Sequence, residues 1–204
     1  MYYRTIWRSI IDFKMNLVIK ILILSDFIIW SVNNLTAPIF AIFIVDNIPG
    51  ASIETAGIAA ALYLIFKSIF EIPVGLFLDK VKGEKDDLYT AVVGSVIMAS
   101  VFALYPLINS IWQLFLLQIV LGISAAVSYP GWYGIFTRHI DKKKEAFEWS
   151  VYDVALGIGM GLTAVIGAFL VEKFGFDIVF YITAGFTLIG ALTLLIVHNK
   201  VNDK

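Results

Sequence analysis

The chain has 204 residues, of which 60% are hydrophobic and 15% charged, with a formal net charge of -1 and a mean hydropathy of +0.88. A soluble domain of this size cannot hide that much apolar side chain, and apolar runs of about twenty residues mark membrane helices. Ten-residue alternating segments, the mark of a membrane barrel, are absent, and the lack of cysteine excludes disulfides, thiolate metal sites and cysteine nucleophiles.

In chain order, the opening segment Tyr2–Ile10 mixes aromatics with Arg4 and Arg8, a pattern that predicts a stretch lying at the membrane surface. Arg4, Arg8, Lys14 and Lys20 precede an apolar run too long for a signal-peptide core, so the first span is expected to be retained. Six spans follow, over roughly 17–45, 55–78, 89–108, 111–136, 149–171 and 177–197. Together they predict one all-α membrane domain over 1–204. The connections alternate in charge. The N-terminal segment, the 79–88 and 137–148 loops and the tail hold 13 of the 15 Lys and Arg residues, whereas the other three loops hold only Lys173. The positive-inside rule then places both termini in the cytoplasm of a cell-membrane protein.

The first span carries Asp26, Trp30, Asn33, Asn34 and Ala37 at helical spacing, one polar stripe on an otherwise apolar rod. Asp26 stands near mid-depth, and ionisable groups there usually face a cavity or a partner. The stripe can line a path for a small solute or a coupling proton or ion, or it can form a static hydrogen-bond network between helices. Lys67 and Glu71 in the second span are four residues apart and can pair on one helix face. Asp26–Lys67 is a rival pairing at similar depth. Gln118 on the fourth span is a further candidate for the same cavity. The fifth span repeats small residues at Gly157, Gly161, Ala164 and Ala168, a face that permits close helix contact, and Gly167 is a further packing glycine on the same span. Pro38, Pro73 and Pro130 inside spans are expected to kink helices or free carbonyls.

Between the second and third spans, Gly75-Leu-Phe-Leu-Asp-Lys-Val-Lys-Gly-Glu-Lys-Asp-Asp packs dense charge between two apolar runs. This stretch resembles the loop motif of major facilitator superfamily transporters, Gly-x-x-x-Asp-(Arg/Lys)-x-Gly-(Arg/Lys)-(Arg/Lys). Gly75, Asp79 and Lys80 match in order, Gly83 comes one residue late and Lys85 matches loosely. The fourth span is similar to the family's Arg-x-x-Gln-Gly-x-Gly-Ala-Ala stretch, with Gln118 standing at the arginine. In the fifth span only Gly167 matches the antiporter pattern Gly-Pro-x-x-Gly-Gly. The resemblance implies half of a twelve-span transporter, built as 3+3 inverted repeats over 17–108 and 111–197. An internal echo at an offset of 92 residues fits such repeats: Gly75-Leu-Phe-Leu with Gly167-Ala-Phe-Leu, Gly83 with Gly175, and Pro38 with Pro130.

The resemblance further implies that Asp79 and Lys80 act as a cytoplasmic latch, with Gly75, Gly83 and Lys85 in the same gating loop. It also implies that the chain pairs with a copy of itself, or with a separately encoded half, to move a small solute by alternating access. A non-transporting membrane subunit or scaffold is the competing reading. No phosphate-binding glycine loop, nucleophile–base pair or metal-ligand spacing is present, so neither an enzyme, a cofactor nor a metal site is expected. Lys142-Lys143-Lys144 reads as a topology determinant rather than a nucleic-acid site.

Overall fold

The computed structural model describes residues 15–81 and 83–201. The expected surface segment Tyr2–Ile10 and Lys82 of the gating loop lie outside the described residues. Among the described residues, six helical stretches are long and apolar enough to cross a membrane. The first is interrupted: α1 (Leu17–Asn33) and α2 (Phe40–Asn47) are joined by a 3₁₀ turn over Ala37–Ile39. The other five are α3 (Ile53–Lys80), α4 (Lys85–Leu104, continued by a 3₁₀ turn to Leu107), α5 (Ile111–His139), α6 (Glu145–Phe174) and α7 (Phe176–Leu194).

Local chemistry explains most of the boundaries. The Asn16 side chain caps α1 by accepting from the Val18 amide at 2.9 Å. Ser52 and Thr55 form a reciprocal capping box at the start of α3. Pro38 sits at the start of the 3₁₀ turn, where the missing amide breaks the ladder and divides the first span. Pro73 and Pro130, in contrast, lie inside α3 and α5, which stay helical through both. Gly175 closes α6 at φ +83°, a left-handed conformation natural only to glycine. Its counterpart in the 92-residue echo, Gly83, also has positive φ, +133°.

The charged loop is shorter than the sequence suggests. Gly75, Asp79 and Lys80 all belong to α3, and Lys85 opens α4, so the connection itself is 81–84. At about 1.5 Å per residue, helices of 28–30 residues reach roughly 42–45 Å, well beyond a hydrocarbon core of about 30 Å. Their charged last turns therefore project past the apolar layer, which lets Asp79, Lys80 and Arg138 stay helical while remaining in a polar medium.

Packing is uneven. The first span, α4, α5 and α7 form the centre of the bundle: α5 lies against α4, α4 against α7, and α7 against α1. α3 packs on α5, and α6 packs on α1 and more lightly on α7. Two large apolar clusters occupy opposite ends. One joins Ile19, Leu22, Leu88, Ile135, Phe136 and Leu194, and the other joins Phe43, Ile44, Val101, Tyr105, Leu114 and Phe180. In the apolar stretches of α3 and α6 only 6% and 11% of residues are buried, against 39% or more in the other four spans.

Close helix approaches occur where a side chain is missing. A Cβ on Gly94 would meet the Ser128 Cβ at 2.7 Å, one on Gly190 would meet Ile29, and one on Gly167 would strike the Leu35 carbonyl. The glycines of the fifth span differ among themselves. Gly157 and Gly161 have nothing within 4 Å, whereas Gly159 and Gly167 make the contacts with the first span. Counting small residues at i and i+4 finds stripes, but it does not say which stripe meets a neighbour.

Candidate functional site

The polar stripe of the first span lines a cleft. Trp30, Asn33, Asn34 and Ala37 form one wall, opposed by Tyr63 of α3, Met98 and Phe102 of α4, Leu121 of α5 and Met160 of α6, around a volume of about 230 Å³. Trp30 also borders a narrower crevice that reaches Asp26, Ser95, Ser128, Tyr129 and Tyr133. Asp26, Trp30, Asn33, Asn34 and Ala37 thus follow the cavity in the order of their helical spacing.

Side-chain partners reveal how firmly the stripe is held. The Tyr152 hydroxyl of α6 donates to Asp26 Oδ2 at 2.9 Å. Asn34 Nδ2 donates to the Met160 carbonyl at 2.7 Å, and the Thr187 hydroxyl donates to Asn33 Oδ1 at 3.4 Å. Each bond joins the first span to α6 or α7.

Lys67 and Glu71 stand one and two turns along α3 from Tyr63 and border neither cavity themselves. Lys67 Nζ lies 3.4 Å from Glu71 Oε2 and 4.5 Å from the centre of the Tyr129 ring. Tyr129 in turn meets Trp30 with ring centroids 5.3 Å apart. Of the two pairings open to Lys67, the structure forms the one with Glu71, while Asp26 is held by Tyr152. The physical reason is distance along one helix: Lys67 and Glu71 stand one turn apart on α3, and the Lys67 ammonium lies over the Tyr129 ring. Gln118 is buried on α5 but borders neither cavity.

The gating-loop residues divide into two groups. Asp79 and Lys80 are exposed at the end of α3. Glu84 and Asp87, at the start of α4, are buried and face Arg138 at the end of α5. Arg138 Nε lies 3.1 Å from Glu84 Oε1, its Nη2 makes a close ion pair with Asp87, and His139 Nε2 lies 3.8 Å from Glu84. A Cβ on Gly131 would strike the Asp87 carbonyl, so its hydrogen lets α4 and α5 close enough for this cluster to form. Glu148, fully buried near the start of α6, accepts from the Asp141 amide at 3.3 Å and ties the 140–144 turn to that helix. Sequence reading missed both arrangements. The available signal was acidic residues in one loop and an arginine in another that the alternating charge pattern places on the same side.

Six apolar spans around a cleft edged by Asn33 and Asn34, with most of the charge toward the helix ends, make this a multi-pass α-helical membrane protein. The Major Facilitator Superfamily profile matches residues 22–204, and the chain belongs to that family. It is 29% identical over 153 residues to the inner membrane transport protein YajR of Escherichia coli, covering 74% of this chain and 32% of that protein. It is 25% identical over 141 residues to the voltage-gated purine nucleotide uniporter SLC17A9 of Homo sapiens, covering 67% of this chain and 31% of that one. A third relative, the uncharacterized MFS-type transporter MJ1560 of Methanocaldococcus jannaschii, is 26% identical over 168 residues, 82% of this chain and 41% of its own length. The chain therefore spans a third to two fifths of the lengths of these relatives.

Proposed function

We propose that this chain is one six-helix half of a secondary transporter, and that it moves a small solute by alternating access once a second six-helix half covers its cleft. One observation carries the reading. Lys67 and Glu71 remain 24% and 33% exposed on α3, a span that has almost no packing of its own beyond α5. A charged side chain at the centre of a lipid-facing helix costs about 2.5–3.5 kcal/mol even on the lenient insertion scales. A second helical wall over α3 and α6 would turn that lipid-facing pair into the lining of a passage. Gly57, Gly157 and Gly161, which meet nothing within 4 Å, leave those two helices smooth enough for close approach.

A second copy inserted in the same orientation supplies such a wall, because the halves of these transporters are parallel repeats about the membrane normal. Inverted repeats within the half are supported by the packing pattern. Exchanging the first three spans for the last three converts the α3–α5 contact into α6–α1, and α4–α5 into α7–α1, while α4–α7 maps onto itself. Loop charge supports a plasma-membrane orientation with both termini and the 81–84 turn in the cytoplasm. In that orientation Asp79 and Lys80, exposed at the end of α3, are free to latch onto the second half. Asp26, with Tyr152 as its donor, is positioned to carry a coupling proton.

The scaffold reading has one observation in its favour: Asp26, Asn33 and Asn34 are all engaged in hydrogen bonds between helices. Mass measurement of the purified protein in nanodiscs, followed by uptake into reconstituted vesicles, separates the two. A dimer that transports supports the first. A monomer without flux under any imposed gradient refutes it and leaves the scaffold.

A further inference from the structure

We infer that the inner face of α3 is an organic-anion site, in which Lys67 receives the carboxylate or phosphate of a solute with a flat, apolar body and Glu71 is the internal anion that the solute displaces. The inference rests on the transport reading for its location in the passage, and it adds the class of solute.

Tyr63, Lys67 and Glu71 follow at intervals of four residues and so share one helix face. Tyr63 borders the 230 Å³ cleft, and Lys67 sits one turn along from it. The two charges are not held alike. Lys67 has two partners, the Glu71 carboxylate and the face of the Tyr129 ring. A cation over a tyrosine face is stabilised by the ring quadrupole, by about 0.5–1 kcal/mol when exposed and more when desolvated. Among the described residues Glu71 makes one ion pair, at 3.4 Å, longer than the roughly 2.7–2.9 Å of a strong charge-assisted hydrogen bond. It is also the more exposed of the two. When the pair opens, Glu71 swings away and Lys67 stays against Tyr129, so the vacated position beside the ammonium suits an anion.

A cationic solute fits poorly. At Glu71 it would lie next to an ammonium group that Tyr129 keeps in place, and like charges repel strongly in a medium of low dielectric constant. The anionic side chain of the crevice, Asp26, is buried and held by Tyr152. Trp30, Tyr63, Tyr129 and Phe102 give the solute flat walls rather than a ring of polar groups, which selects an aromatic or apolar body behind the anionic head.

The test uses the full chain in nanodiscs and four probes of one shape: benzoate, phenyl phosphate, benzylammonium and benzyl alcohol. Binding is read from the rise in apparent melting temperature with probe concentration. Benzoate, phenyl phosphate or both are expected to stabilise the wild type, and whichever binds better names the head group. Benzylammonium and benzyl alcohol should not. Glu71→Gln removes the internal competitor and should tighten anion binding up to about fivefold, the range for a partly exposed ion pair. Lys67→Arg should retain binding, and Lys67→Gln should lose it.

Stabilisation by benzylammonium, loss of anion binding in Glu71→Gln, or no response of either wild type or Glu71→Gln to both anions overturns the inference. If Lys67→Gln fails to fold, Glu71→Gln and Lys67→Arg still decide. Anion binding at Lys67 without flux into vesicles would leave the site standing and the transport reading fallen. Flux that proceeds unchanged in Lys67→Gln would do the reverse.

Discussion

Gly167 offers a direct test of how the first and fifth spans are held together. A methyl group at this position would strike the Leu35 carbonyl oxygen and lie 2.8 Å from its carbonyl carbon and 2.9 Å from its Cα. Ordinary contacts of that kind are about 3.5–4.0 Å, and all three atoms are backbone, so no rotamer change relieves the clash. α6 must move away from the first span at Leu35 by most of an ångström, and overpacking of this sort destabilises by about 1–3 kcal/mol. Gly157 and Gly161 lie on the same helix with nothing within 4 Å. Replacing any of the three by alanine changes helix propensity alike, by up to about 1 kcal/mol. A comparison among Gly157→Ala, Gly161→Ala and Gly167→Ala therefore cancels propensity and isolates the contact. For a chain of this length 1 kcal/mol corresponds to about 2–4 °C, so Gly167→Ala should melt some 2–12 °C below the other two in detergent. Equal melting of all three would refute the contact between α6 and Leu35.

Further measurements bear on the site and its orientation. Asp26→Asn keeps an acceptor for the Tyr152 hydroxyl, so the fold should survive while flux is lost; undiminished transport would remove Asp26 from the mechanism. Tyr152→Phe leaves that carboxylate without its donor and should lower stability by about 1–3 kcal/mol in thermal unfolding. Arg138→Ala strips the counter-charge from Glu84 and Asp87. Since Arg138 is itself 42% exposed, solvent softens the loss to about 1–2 kcal/mol, and a variant as stable as the parent would show that the cluster contributes nothing. A cysteine introduced at Lys80 should react with impermeant reagents only from the cytoplasmic side; labelling from outside would invert the proposed topology.

Much of the fold was legible because lipid is an unforgiving solvent. A backbone that crosses it must bond internally, so apolar length alone located six helices. The helices overran those estimates because Asp79, Lys80, Arg138 and Glu145 are charged yet helical, and charge ends the apolar run before it ends the helix. The stripe from Asp26 to Ala37 was legible for a related reason: a polar side chain in lipid has few places to go, and its period of 3.6 fixes a single face. Gln118 satisfied the same criterion and yet borders neither cavity, since burial alone does not choose between the cleft and the interior of the bundle.

Sequence by itself determined the solvent, the number of crossings, the alternation of charged loops and the face of the first span that avoids lipid. Each of these depends on one residue's transfer free energy or on a periodicity along one helix. Only the tertiary structure decided that Lys67 meets Glu71 and Tyr129 rather than Asp26, that Tyr152 supplies the donor for Asp26, that Arg138 closes on Glu84 and Asp87, and that Gly159 and Gly167 touch the first span while Gly157 and Gly161 do not. Those outcomes depend on how rods far apart in sequence are rotated and spaced against each other, which backbone atoms and ring faces set and which no pattern along a single rod records.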